Sequence, residues 1–144
     1  MNLCRVDLSY CDLRDCRLDG TSLKEANLFC VDLRGAELEG ADMTRADLRG
    51  ADFGVGAQLK DVILQRAYLS GVTLQNANLF RANLQDCDLK DAVLAGADLR
   101  SANLAFAELF RVDMRGADLR NSNFESAHTE GILWEGAVLE GIRI

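Results

Sequence analysis

Large apolar residues recur at every fifth position along almost the whole chain. They run from Leu3 to Phe53 and again from Leu59 to Ile144, with Thr129 as the one polar exception. We call each of these positions a centre; there are 29, and 22 of them are leucine. The residue two before each centre is small or apolar except at Thr21 and Ser122, and no charged residue falls on either position. Because an unpaired buried charge is costly, this pattern predicts that both positions are buried.

Neither an α-helix nor a flat sheet can bury a five-residue repeat. In a helix, five residues advance by roughly 140° beyond one full turn, so the centres would spread around the cylinder. In a continuous strand, an odd step sends every second centre to the opposite face. The remaining solution is a chain of short extended segments, each turning its centre and the residue two before it inward. Repeated turns in one sense then wind a stacked coil.

Glycine positions support corners between these segments. Ten of the twelve glycines lie two residues after a centre, where a turn often needs a positive φ. The other two, Gly54 and Gly56, flank Val55 at the only place where two centres are six residues apart, Phe53 and Leu59. We therefore expect a single domain over residues 1–144 with a one-residue corner insertion at 54–56.

The segments "ANLFCVDLRGAELEGADMTRADLRGADF" and "ADLRSANLAFAELF" resemble the A-(D/N)-L-x-x signature of the pentapeptide repeat family. The resemblance covers essentially the whole chain. It implies an all-β fold, a right-handed quadrilateral parallel β-helix (a solenoid) of about seven coils with four pentapeptides each. Residues 20 apart, or 21 apart across the insertion, would then stack. The expected core includes Leu8, Leu28, Leu48, Leu69, Leu89 and Leu109, with Ala46 and Ala67 at the small inward positions.

Composition argues against several classes of protein. The net charge is −7, and no apolar run is long enough to span a membrane. Five cysteines without a C-x-x-C pair do not indicate a disulfide framework or a zinc site, and they favour an intracellular, cytoplasmic location. His128 is the only histidine, and a regular rod offers no cleft for a substrate. We expect no enzymatic activity, no cofactor and no metal, and neither membrane nor direct nucleic-acid binding.

The resemblance leaves two functions open. The favoured one is a structural rod that serves as a protein–protein interaction scaffold, or the repeat segment of a larger adaptor such as the BTB-containing ubiquitin-ligase adaptors of some family members. The alternative is an acidic DNA mimic that binds a type II topoisomerase such as gyrase, as other members do. The net charge disfavours mimicry, since it amounts to one charge per ~5 Å of rod against one per ~1.7 Å in duplex DNA.

Outward apolar residues are the candidates for contact with a protein partner. With four sides per coil, Phe106 lies at a corner and Phe110 on the adjoining face, and Tyr68 is on that face two coils away. Aromatic side chains dominate the energetics of protein contacts, so Tyr68, Phe106 and Phe110 form the predicted contact surface. Solenoids need capped ends, and the repeat reaches both ends of this sequence, so we also expect end-to-end self-association or a continuation into further chain.

Overall fold

The computed structural model describes residues 1–144 and has the predicted architecture, a right-handed β-helix with four sides. No helix is present, and therefore none that could cross a bilayer. Each side is a short extended segment in which the residue before the centre forms a parallel β-bridge, and the two residues after the centre form the turn. Residues 26–28, followed by the turn at 29–30, are typical.

Four ladders of β-bridges run along the rod, and we name each face by its ladder. The bridged residues of face 1 are Asn2, Ser22, Asp42, Ile63, Asn83, Asn103, Asn123 and Arg143. Those of face 2 are Asp7, Asn27, Asp47, Tyr68, Asp88, Glu108 and His128. Face 3 contains Asp12, Asp32, Asp52, Thr73, Val93, Asp113 and Leu133. Face 4 contains Arg17 and Glu37 and then, after a gap, Gln58, Asn78, Asp98, Asp118 and Val138.

Each bridge consists of two backbone hydrogen bonds between stacked coils. On face 2, for example, the Leu28 N–H donates to the Asp47 carbonyl at 2.8 Å, and the Asp47 N–H donates to the Ala26 carbonyl at 3.0 Å. Within a coil, the N–H of the small inward residue donates back to the preceding centre, as from Val31 to Leu28 at 3.2 Å. Except at the insertion described below, the backbone polar groups that line the narrow core are thus paired without any long strand.

The core is a column of centres and small residues along the axis. Leu28, Leu48, Leu69, Leu89, Leu109, Ala46 and Ala67 are all buried in it. Leu8 is the exception among the expected core residues, because it is only partly buried at the end of the column, where no further coil covers it. The same effect exposes Leu139 and Ile144 at the other end. Burial therefore depends on a neighbouring coil on both sides.

The corners require a left-handed backbone conformation. All twelve glycines have positive φ, and so do seventeen other residues, every one of which lies two positions after a centre. At Gly35, where φ is 74°, this left-handed conformation favours glycine over residues with a Cβ. Gly54 and Gly56, on either side of Val55, have φ of 71° and 77°.

Candidate protein-interaction surface

Where an Asp or Asn stands directly before a centre, as in 16 of the 29 repeats, it fixes the turn that follows. Its side-chain oxygen accepts the backbone N–H two residues later, as from Arg49 to Asp47 at 3.2 Å and from Phe29 to Asn27 at 3.2 Å. This local bond is the one by which Asx residues stabilise turns. The residue after the centre is therefore held at a constant place on the surface. The side chain of this residue, whether Arg, Phe or Lys, points outward and stacks in register with the side chains at the same position in neighbouring coils.

Arginine after the centre neutralises the aspartate before it in six repeats with the sequence Asp-Leu-Arg or Asp-Met-Arg. In one of them, Arg100 binds both carboxylate oxygens of Asp98, with nitrogen–oxygen distances of 2.8 and 2.6 Å. The hydrogen bonds from Arg100 lower the pKa of Asp98, and those from Arg14 lower the pKa of Asp12 to about 2. The arginine side chains are about half exposed, so solvent screens each pair and it adds little to stability. Their main effect is on the electrostatic surface, where charge is balanced locally.

Ion pairs between coils neutralise further acids. Glu25 binds Arg5 at 3.0 Å, Asp91 binds Arg111 at 2.7 Å and Glu39 binds Lys60 at 2.7 Å. In all, 15 of the 23 acidic residues lie in ion pairs with Arg or Lys, which leaves eight without one. Four of those eight follow successive centres in the last coil: Glu125, Glu130, Glu135 and Glu140. Three of the other four, Asp7, Asp15 and Asp19, lie in the first coil, so unpaired negative charge is concentrated at the two ends of the rod.

A row of aromatic and arginine side chains crosses four coils beside face 2. The rings of Tyr10 and Phe29 meet edge to face, with centroids 5.6 Å apart. The guanidinium of Arg49 then lies 5.9 Å from the Phe29 centroid and 6.0 Å from the Tyr68 centroid. Tyr10 and Tyr68 are 73% and 51% exposed, so the two ends of the row are open to solvent. We call these four residues the aromatic row.

The structure places the three predicted contact residues on one side of the rod but not in one cluster. Phe106 is 50% exposed at the corner between faces 1 and 2. Phe110 is partly buried, and the Arg111 guanidinium lies 4.8 Å from its centroid. Neither ring stacks on Tyr68, which belongs instead to the aromatic row. Sequence reasoning missed Tyr10 and Arg49, although their spacing of roughly one coil from Phe29 was a usable signal.

The insertion at Gly54, Val55 and Gly56 interrupts one ladder. Bridges pair residues 20 apart up to Asp32–Asp52, 21 apart in the three that span the insertion (Asp42–Ile63 to Asp52–Thr73), and 20 apart again from Gln58–Asn78 onward. The one bridge missing from the series is that between Glu37 and Gln58 on face 4. Phe53 and Leu59 both stay buried, and Val55 projects with 72% exposure. A depression of about 660 Å³ opens at this place, which we call the corner depression; it is lined by residues 34–39, residues 53–58 and Asp19.

The groups most often used in catalysis are scattered over the rod. Burial raises the pKa of the Cys87 thiol, and all five cysteines are free. His128 contacts Glu108, with 3.1 Å between Nδ1 and Oε1, on the open surface of face 2. No three His, Cys, Asp or Glu side chains converge in an arrangement that could hold a metal ion.

Comparison with known proteins defines the class. A family model described as pentapeptide repeats matches residues 1–24, 26–54, 55–89 and 77–116, in eight copies. HetL, a pentapeptide repeat protein involved in heterocyst differentiation regulation in the cyanobacterium Nostoc sp. strain PCC 7120, is 31% identical. That match covers 99% of this chain and 73% of HetL, with a TM-score of 0.53. The chain therefore belongs to the pentapeptide repeat family.

A second solved structure shares the fold at lower identity. Full-length QnrB1, a plasmid-mediated fluoroquinolone resistance protein, is 20% identical, with a TM-score of 0.61 over 92% of this chain and 80% of QnrB1. No sequence relative was found among proteins with curated functions. The family and its fold are thus established, and members of this family are structural repeat proteins.

Proposed function

We propose that this chain is a non-enzymatic rod that binds a protein partner through face 2 and its adjoining corners. The observation that carries the proposal is the aromatic row, together with Phe106 and Phe110 further along the same side. Tyrosine and arginine are the residue types most enriched at contact hot spots. A rigid β-helix holds them in place, so little side-chain entropy is lost on binding. The five free cysteines support an intracellular, cytoplasmic location.

Replacing Phe106 and Phe110 together by serine is expected to reduce partner capture by at least about tenfold, since hot-spot truncations typically cost about 2 kcal/mol or more. The measurement is affinity capture from a lysate with quantitative mass spectrometry, repeated with Tyr68→Ser. Phe80→Ser is the matched control, because Phe80 also follows a centre and lies against an arginine, Arg100 at 5.4 Å, but on the opposite face 4. Partners captured equally by the wild type, the double variant and Tyr68→Ser would refute the proposed surface.

DNA mimicry directed at a type II topoisomerase is the second candidate. Its support is the unpaired ring of Glu125, Glu130, Glu135 and Glu140 and the fold shared with QnrB1. We rank it lower because most other carboxylates are neutralised by arginine or lysine. A gyrase supercoiling assay distinguishes the two: inhibition or protection of the enzyme at stoichiometric protein would favour mimicry, and no effect would favour the interaction rod. A role as the repeat segment of a larger adaptor stays a prediction.

A further inference from the structure

Asp88 is an unpaired carboxylate in the middle of face 2. Twelve acidic residues stand directly before a centre, and ten of them form ion pairs with lysine or arginine. The two exceptions, Asp7 and Asp88, both lie on face 2, one beside each end of the aromatic row. Ser9 donates two hydrogen bonds to Asp7, from its N–H and its hydroxyl. Asp88 accepts only the Lys90 N–H, at Oδ1 and 3.2 Å, so its Oδ2 is free and reaches the solvent.

The serine at position 70 explains why Asp88 has no partner. In five places, a lysine or arginine directly after a centre reaches the acid before the centre of the next coil, as Arg34 reaches Asp52 at 3.5 Å. The residue in that place below Asp88 is Ser70. Lys90, in the same repeat as Asp88, pairs instead with the acid of the coil above at 3.6 Å. A short serine therefore stands where other coils have the cation.

The ring of Tyr68 lies next to this carboxylate. Tyr68 and Asp88 are bridged to each other in the face 2 ladder, so their side chains leave the sheet about 4.8 Å apart. Arg49 of the coil below lies 6.0 Å from the Tyr68 centroid, and its charge is balanced by Asp47 at 2.6 Å. Tyr68 is still 51% exposed, so the aromatic surface beside Asp88 is open to a further cation.

Arginine is the side chain that a ring next to a carboxylate fits best. Three arginines of this protein lie over an aromatic ring, and each of them also binds an aspartate. Arg111, for example, lies 4.8 Å from the Phe110 centroid and 2.7 Å from Asp91 Oδ1. A planar guanidinium can stack on a ring and pair with a carboxylate at the same time. Tyr68 and Asp88 supply the ring and the carboxylate of a fourth such site, whose cation the chain itself does not supply.

Building on the proposed function, we infer that the partner of face 2 inserts an arginine side chain between Tyr68 and Asp88. Its guanidinium stacks on the ring and donates to the free carboxylate oxygen. The partner is therefore a protein segment that presents an exposed arginine. Lysine fits less well, because its compact ammonium lacks the planar face and paired donors of a guanidinium. The net charge of −7 also steers a basic segment toward the rod.

Two substitutions by arginine in the same coil provide the test and its matched control. Ser70→Arg places the protein's own arginine one coil below Asp88, where it is expected to bind the carboxylate and exclude the partner. Gln65→Arg adds the same side chain directly after the preceding centre, but the residue above it is Asn83, which carries no charge. Only the first variant should block the site.

The probe is a linear heptapeptide selected by phage display against the wild type, with Ser70→Arg as the counter-selection. Enriched peptides should contain arginine. A synthetic copy, measured by fluorescence anisotropy, should bind Ser70→Arg and Asp88→Asn at least about tenfold more weakly, because a charged hydrogen bond is lost. Binding to Gln65→Arg should be unchanged. Asp88→Asn keeps the turn, since an asparagine oxygen accepts the equivalent N–H at Asn27.

A citrulline analogue of the peptide gives a readout on the wild type alone, which does not depend on how the variants fold. Citrulline keeps the shape of arginine without its charge, so the analogue should bind at least about tenfold more weakly. Selection that enriches no arginine-containing peptides, or a citrulline analogue that binds as tightly as the parent, would contradict the arginine site.

Partner capture separates this site from the proposed surface as a whole. Loss of the same partner from Phe106→Ser/Phe110→Ser and from Ser70→Arg, with retention by Gln65→Arg, would support both. A partner lost from the double variant but retained by Ser70→Arg and Asp88→Asn would overturn the arginine site and leave the proposed surface standing. Equal capture by all of these variants would refute the surface, and the arginine site with it.

Discussion

Deleting Ala95 is expected to lower the free energy of unfolding by more than about 4 kcal/mol, which few single mutations do. Ala95 and Gly96 form a corner between the buried residues Leu94 and Ala97. With one residue fewer, the corner must either distort or shift every later residue by one position, which would turn Asp98 inward. Such a loss is a large part of the roughly 5–15 kcal/mol that stabilises a typical domain.

Deleting Val55 is the matched control for that change. Both deletions remove an apolar residue that stands before a corner glycine, but only the deletion of Val55 restores the five-residue step, here from Phe53 to Leu59. We expect it to raise stability by about 1–3 kcal/mol, because the two hydrogen bonds between Gln58 and residues 36 and 38 can then form. Urea unfolding followed by circular dichroism measures both. If the two deletions had equal effects, the five-residue repeat would not be what sets the register.

Replacing Leu89 by alanine is expected to cost about 2–5 kcal/mol. Leu89 is fully buried between Leu69 and Leu109 in the column of face 2. A narrow core closed by turns on four sides has little freedom to collapse into the space that the side chain leaves. The free-energy cost of the remaining cavity therefore adds to the free energy lost with the buried apolar surface. The neighbouring Lys90→Ala is the control: its side chain is exposed and pairs with Glu108 at 3.6 Å, and its change should stay within about 0.5 kcal/mol. Equal free energies of unfolding for the two variants would contradict the assigned core.

The inward positions were predictable from the sequence because the penalty for burying charge acts at every repeat. That rule assigns Leu28, Leu69 and Ala67 to the core from their places in the repeat alone, and all three are buried. It could not reveal that Leu8 is only partly covered, since burial at the ends depends on whether another coil is present. The four sides and the hand came from family resemblance, because a five-residue period alone does not fix how many corners close one coil.

The surface was less predictable, because outward side chains obey no comparable rule. Tyr68 was singled out as exposed, but its partner Arg49 comes from the preceding coil, and its ring does not meet Phe106 or Phe110. The insertion was visible as a six-residue step, yet the missing bridge between Glu37 and Gln58 depends on where the extra residue is accommodated. That placement is decided by backbone geometry at Gly54 and Gly56.

One insertion leaves a single open position in an otherwise continuous ladder on face 4, and amide hydrogen exchange measured by NMR tests this claim most directly. The Leu59 and Leu79 amides donate to Asn78 and Asp98, both at 2.8 Å, and should exchange slowly. The Leu38 amide occupies the equivalent position one coil below and should exchange much faster, although its side chain is equally buried. A Leu38 amide as protected as that of Leu59 would contradict the claim, because the ladder would then be closed.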